Sequence, residues 1–278
     1  MKDSVARHYT HGQLLDRILG GVDAIGKTPE TVTVDDLAPV DEFHIGGRQA
    51  SEEFIGQLGL SAQTHALDVG CGLGGTARFV ASRYGCRVTG IDLTPEFVST
   101  GQRLCDWVGL GGQVSLTQGD ATAMPFSDVS FDAAFMLHVG MNIDRKDELF
   151  AEVYRLVKPG AVFGVYDVMQ TGDEALDYPV PWSSTPDTSA LASREHYIDA
   201  LEGAGFDLIR MRDRREFAAE FFAETRRRME DDGGNPLLGV HIAMGESAHI
   251  KIRNMVENIA SGRVSPVEII ACKADPAG

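Results

Sequence analysis

The chain has 278 residues, 43% of them apolar, with 25 basic against 41 acidic residues and a formal net charge of −16. That length supports one large domain or two small ones, and the acidic balance repels a phosphate backbone, so nucleic acid is not an expected partner. No run approaches the roughly 18 consecutive apolar residues that a bilayer span needs, and four scattered cysteines (Cys71, Cys86, Cys105, Cys272) indicate neither a disulfide framework nor a metal site.

Residues 1–7 lack the apolar core of a signal peptide, so a soluble, cytoplasmic protein with no membrane partner is expected. Helical patterns over Gly12–Ile25, Pro29–Leu37 and Gln49–Leu58 surround Val40–Arg48 and predict a helical cover over residues 1–60. A domain over residues 61–278 follows. Its first strand is His65–Val69, and a glycine-rich turn opens a helix from Gly74 to Tyr84. Arg87–Ile91 is the second strand. Thr94, as N-cap, and Pro95 start a helix to Val108, and Gln113–Gln118 is the third strand.

Phe131–Leu137 reads as the fourth strand, and Lys146–Val157 carries apolar residues at helical spacing until Lys158-Pro159-Gly160 stops it. Ala161–Val168, apolar almost throughout, is the fifth strand, as expected in a sheet covered on both faces. Alternation of this kind predicts an α/β, doubly wound sheet. Residues 169–193, rich in Pro, Ser, Thr, Asp and Gly, are expected to form a surface excursion near the site. A helix Arg194–Ala204, a strand Phe206–Arg212, helices Glu216–Glu230 and His241–Ser261 around the breaker Gly233-Gly234-Asn235-Pro236, and a last strand Val264–Cys272 complete the chain. Residues 169–260 are thus the variable, substrate-side part, with an insertion before the last strand placed to cap a pocket. The arginines of Arg210–Arg228 run into Glu230, Asp231 and Asp232 and read as a solvated face.

The informative segment is Ala66-Leu67-Asp68-Val69-Gly70-Cys71-Gly72-Leu73-Gly74-Gly75. Gly70, Gly72 and Gly75 satisfy the spacing of a dinucleotide turn, so the glycines alone do not choose between a nicotinamide cofactor and another adenosyl cofactor. Asp68 chooses. A carboxylate at the strand end repels a pyrophosphate, whereas S-adenosylmethionine carries an ammonium and a sulfonium and no phosphate, and its amino group can donate to Asp68 directly or through water. The competing role for Asp68 is as a partner of the helix N-terminus. Asp92, 24 residues on, stands where an acid accepts ribose hydroxyls of any adenosine cofactor, with Leu93 beside it. Asp120 is placed to accept from an adenine amino group, with Ala121 leaving room for the ring; an Asx turn is the competing role.

These elements, followed by Met124-Pro125-Phe126 and Ser130-Phe131-Asp132-Ala133-Ala134-Phe135, resemble the class I S-adenosylmethionine-dependent methyltransferases over residues 60–170. The resemblance implies a seven-stranded Rossmann-like sheet with one antiparallel strand near its edge. It carries cofactor roles onto Asp68, Gly70, Gly72, Asp92, Asp120 and Ala121, and places Leu137 and His138 beside the cofactor. Within the superfamily the chain looks like the small-molecule branch of ubiquinone, menaquinone, sarcosine and dimethylglycine methyltransferases. Leu137-His138-Val139-Gly140-Met141-Asn142 departs from the Asn/Asp-Pro-Pro-Tyr/Phe of enzymes that methylate DNA and protein amides.

Methyl transfer to N, O or C of a small molecule is therefore expected, an in-line displacement in which the protein aligns the acceptor and excludes water. An amine attacks unaided, while a phenol or alcohol needs a base, for which His138 and His44 are the candidates, with Asp167 and His241 behind them. His44 and Arg48 flank Gly46-Gly47 in a loop placed to close over the methionine end, and Tyr9 either closes over the cofactor or anchors the cover. Homo-oligomerisation is left open. The alternatives are a nicotinamide-dependent oxidoreductase, disfavoured by Asp68 and by the lack of a Tyr-x-x-x-Lys pair, and a non-catalytic module that binds S-adenosylmethionine.

Overall fold

The computed structural model describes residues 8–10, 12–231, 233, 234, 236–245 and 247–274. Residues 1–7, on which the signal-peptide expectation rests, and Asn235 of the expected breaker lie outside them. After His8 and Tyr9, which are helical, come three helices: α1 (Leu14–Ala24), α2 (Val34–Asp41) and α3 (Gly47–Ile55). Then follow β1 (His65–Val69), α4 (Gly75–Tyr84), β2 (Arg87–Asp92), α5 (Pro95–Trp107), β3 (Val114–Gln118), β4 (Phe131–Leu137), α6 (Lys146–Leu156) and β5 (Val157–Gln170). The chain ends on α7 (Arg194–Ala204), β6 (Phe206–Asp213), α8 (Arg215–Asp231), α9 (His241–Met244), α10 (Ala248–Ala260) and β7 (Val264–Lys273).

The strands form one seven-stranded sheet in the order β3-β2-β1-β4-β5-β7-β6. β7 runs antiparallel to both β5 and β6, and the remaining pairs are parallel, as the resemblance implies. Side chains alternate across it. On β4, Ala134 and Met136 pack with Leu149, Phe150 and Val153 of α6 and Tyr197 and Leu201 of α7. Phe135, between them, points to the opposite layer with Phe54 of α3, Val80 of α4 and Cys105 of α5. Burial on both faces explains why the central strands read as apolar runs. Because the order reverses between β1 and β4, the helices leave a crevice at the carboxyl ends of these two strands, where ligands of open α/β sheets bind.

The cover departs from expectation at α2, which begins at Val34 because Thr33 and Asp36 form a capping box: Asp36 N donates to Thr33 Oγ1 (3.2 Å) and Thr33 N to Asp36 Oδ2 (2.9 Å). Lys158-Pro159-Gly160 does not separate helix from strand. It is an irregularity within β5, where pairing jumps from Phe131↔Val157 to Ala133↔Val162 and Gly160 takes a φ of 79°. The helix expected over His241–Ser261 is two helices, interrupted at Gly245, whose φ of 74° ends α9.

The segment 169–193 is a surface excursion only in part, with residues 173–175 and 184–187 exposed. Val180 and Trp182 are buried with Ile45, Met141 and Met255, so the segment packs between the cover and α10. No helix among the described residues is long and apolar enough to cross a membrane.

Candidate functional site

The glycine turn is built on left-handed backbone. Gly70, Gly72 and Gly74 have φ of 72°, 53° and 77°, and the amides of Gly70 and Cys71 both donate to Ile91 O (2.8 and 2.9 Å), tying the turn to β2. A β-carbon on Gly70 would run into both γ-methyls of Val139, in the loop after β4. Gly70→Ala is therefore expected to destabilise the fold by roughly 2–5 kcal/mol, from left-handed strain plus overpacking. Thermal unfolding checks this, and adding Val139→Ala should recover only the packing part.

Asp68 is the penultimate residue of β1, next to this turn. It is 3% exposed, and its Oδ2 has no hydrogen-bond partner. Burial first, and the nearby Asp92 second, push its carboxyl well above the usual range, against the pull of Arg78. Asp92 is differently held: its Oδ2 accepts from Gly72 N (2.9 Å) and its Oδ1 from Thr94 N (2.8 Å), so one side chain braces both the glycine turn and the start of α5. Asp120 Oδ1 accepts from the amide and the hydroxyl of Thr122, both at 2.9 Å. The Asx turn weighed for Asp120 is thus present, in a residue that also faces the crevice.

One cavity gathers these groups. Asp68, Gly70, Gly72, Asp92, Leu93, Asp120, Ala121, Leu137, His138 and His44 all line it. The sequence reading did not assign Asp41, Phe43, Asn142, Asp144, Arg145 or Ala243, which line it as well. Among the described residues its acidic lining is five aspartates, Asp41, Asp68, Asp92, Asp120 and Asp144, against the one guanidinium of Arg145, with His44, His138, Tyr9 and Cys71 beside them. Arg145 in turn reaches Glu148 and Thr122.

Beneath it lies Arg78, a wholly buried guanidinium that pairs with Asp41 and donates to Leu73 O (2.7 Å) and Gly101 O (3.2 Å). The sequence carries a signal for this pair, since Asp41 sits with Leu37 and Val40 on the buried face of α2.

His138 stands in the left-handed region at φ 56°, with both ring nitrogens engaged by backbone. Ile45 N donates to Nε2 (3.3 Å) and Nδ1 faces Tyr166 O (3.2 Å), so in this arrangement it offers no nitrogen to a substrate proton. Burial, then His44, hold its pKa down to about 3. Tyr166 donates its hydroxyl to Ile45 O (3.0 Å), and the two residues together pin the loop that carries His44.

His44 has one engaged nitrogen: Nε2 lies 3.1 Å from both Gly47 O and Ser51 Oγ. Arg48 turns away from the cavity to Glu42 and Asp35 and stacks on Phe79. Asp167 is a structural acid whose Oδ2 accepts from Gly140 N (2.7 Å) and Tyr197 Oη (2.8 Å), fixing the loop after β4. His241 is not among the lining residues, although Ala243 of the same helix is. Tyr9 both lines the cavity and anchors the cover, packing on Phe97 and donating to Asn142 Oδ1 (3.3 Å).

Residues 67–165 match the family described as Methyltransferase domain. A sterol 24-C-methyltransferase of Yarrowia lipolytica is 32% identical over 158 residues, 55% of this chain and 42% of that one. The chain covers less than half the length of such curated relatives.

Among solved structures, geranyl diphosphate C-methyltransferase from Streptomyces coelicolor superposes with a TM-score of 0.69 at 18% identity, covering 98% of this chain and 97% of that one. A [4+2]-cyclase superposes with a TM-score of 0.68 at 20% identity, covering 99% and 97%. With its strand order and its acid-glycine turn, the chain has the fold of these solved structures, and its central residues 67–165 match a methyltransferase domain.

Proposed function

We propose that the protein transfers a methyl group from S-adenosylmethionine to a small-molecule acceptor in the cytoplasm. The observation that carries this is the acidic cavity, with the unpartnered Oδ2 of Asp68 at the glycine turn. Such a lining attracts a cationic ligand and repels a dinucleotide diphosphate, which counts against the nicotinamide alternative. The site fits the group it would hold: Asp68 for the ammonium, the backbone of Gly70 and Gly72 for close approach, Asp92 with Leu93 for the ribose, and Asp120, Ala121 and Leu137 around the base. When bound, S-adenosylmethionine supplies a methyl group already activated by its sulfonium.

The chain's own part is placement and dryness. Tyr9, Phe43 and Ala243 close the cavity from the cover and from α9, and Val139 and Asn142 close it from the loop after β4. Relatives that act on sterols and a fold neighbour that acts on geranyl diphosphate support a small-molecule acceptor. The fold also carries a [4+2]-cyclase, so turnover and not binding decides. The test is tritium transfer from labelled S-adenosylmethionine across an acceptor screen. Labelled product is expected, while cofactor binding with no transfer to any acceptor would support the non-catalytic alternative.

Asp68 gives a pH signature. Burial raises its pKa and a docked ammonium lowers it again, so over the pH range in which the ligand-free carboxyl titrates, binding releases a proton. Affinity for S-adenosylhomocysteine should accordingly rise with pH until Asp68 is ionised in the free protein. Calorimetry in two buffers of unlike ionisation enthalpy measures the release, which Asp68→Asn should abolish.

A further inference from the structure

His44 stands at the end of a buried hydrogen-bonded chain that the site description leaves without a task. Glu42 (2% exposed) has one oxygen on Arg48 Nε, while its Oε2 accepts from Ser51 Oγ (2.7 Å). With its proton committed to Glu42, the Ser51 hydroxyl presents a lone pair to His44 Nε2 at 3.1 Å, and Gly47 O does the same from 3.1 Å. Two acceptors on one nitrogen demand that Nε2 carry the hydrogen. Nδ1 is then the bare nitrogen, it has no hydrogen-bond partner among the described residues, and the ring lines the cavity.

We propose that Glu42 and Ser51 are positioning residues that hold His44 in the Nε2–H tautomer, so that Nδ1 takes the proton an acceptor sheds on methylation. The proposal rests on the methyl-transfer function above and adds a substrate class. The acceptor is one that must lose a proton at or beside the methylated atom, such as a hydroxyl, a protonated or secondary amine, or an alkene that passes through a cation. Tertiary amines and thioethers fall outside it.

The balance is simple. The acceptor's electron pair forms the bond to the methyl carbon, the carbon–sulfur pair leaves on sulfur, and the acceptor's proton goes to Nδ1. The imidazolium so formed donates through Ser51 toward Glu42, whose carboxyl burial pushes up and the ion pair with Arg48 pulls back toward the anion. The groups facing the ring are Glu42 from its own segment, Arg48 and Ser51 from α3, His138 just after β4 and Tyr166 from β5. The Gly47 carbonyl and the Glu42 carboxyl, 3.9 Å from Nε2, favour the charged ring, and burial, ahead of Arg48, holds the resting His44 neutral, with its pKa lowered to about 4.

The test needs no acceptor and no turnover. Nitrogen-15 NMR of the histidine rings in the full chain should show His44 as the Nε2–H tautomer throughout the neutral range. Ser51→Ala should shift it to a mixture of tautomers, and Glu42→Gln should give a smaller shift of the same sign. Affinity for S-adenosylhomocysteine, measured in parallel, should change less than twofold in either variant. A wild-type ring protonated at Nδ1, or a tautomer indifferent to Ser51→Ala, overturns the proposal. Failure of the wild type to bind S-adenosylhomocysteine would instead strike the function on which it rests.

Discussion

Asp92→Ala is expected to weaken S-adenosylhomocysteine binding by more than about 100-fold, because it removes at least two charge-assisted hydrogen bonds worth roughly 1.5–3 kcal/mol each. The side chain does two kinds of work at once. Its oxygens brace Gly72 N and Thr94 N, which fixes the turn and the start of α5, and their remaining lone pairs are those available to ribose hydroxyls. Alanine loses both, and leaves the Gly72 and Thr94 amides without these partners as well. Asn keeps the shape and one acceptor, so Asp92→Asn should lose about tenfold. Calorimetry with S-adenosylhomocysteine measures both variants, and unchanged affinity in Asp92→Ala would remove Asp92 from the site.

Arg78→Met is expected to cost about 3–5 kcal/mol of stability at neutral pH, the usual penalty for stranding one partner of a buried ion pair. Asp41 is the group stranded. Its Oδ1 already lacks a partner, and burial pushes its pKa up to about 6 even with Arg78 beside it. Without the guanidinium, that pKa climbs further. The unfolded carboxyl ionises at about 3.9, so stability drawn from the protonated folded form is lost as pH rises through the folded pKa. In the wild type the decline ends a little above pH 6, whereas in Arg78→Met it continues upward. The difference between the two proteins should therefore be larger at pH 8 than at pH 5 in urea unfolding. Adding Asp41→Leu to Arg78→Met should restore most of the loss, since a well-packed apolar pair replaces a buried ion pair at little cost.

What the sequence made legible was what the backbone requires of particular residue types. Gly70 and Gly72 could be read because positive φ favours glycine, and Asp68, Asp92 and Asp120 because each stands at or just past the carboxyl end of a parallel strand beside the crevice. Strand alternation was legible for the same kind of reason, with Ala134 and Phe135 packing on opposite layers. Contacts between distant segments were not. Nothing near His138 in the chain announces that Ile45 N and Tyr166 O will occupy its ring nitrogens, 93 and 28 residues away. Polar composition suggested an exposed path for residues 169–193, and Val180 and Trp182 are buried because α10 and Ile45 supply the apolar partners. Lys158-Pro159-Gly160 has the composition of a stop, yet the sheet absorbs it as an irregularity, since Val157 on one side and Val162 on the other still pair with β4.

The central claim is that this crevice is built for a cationic nucleoside and not for a phosphorylated one. Side-by-side calorimetric titrations of the wild-type protein with S-adenosylhomocysteine and with NADH test it most directly. A saturable one-site heat with the former and none with the latter is the predicted result; saturable NADH binding with no response to S-adenosylhomocysteine would contradict it.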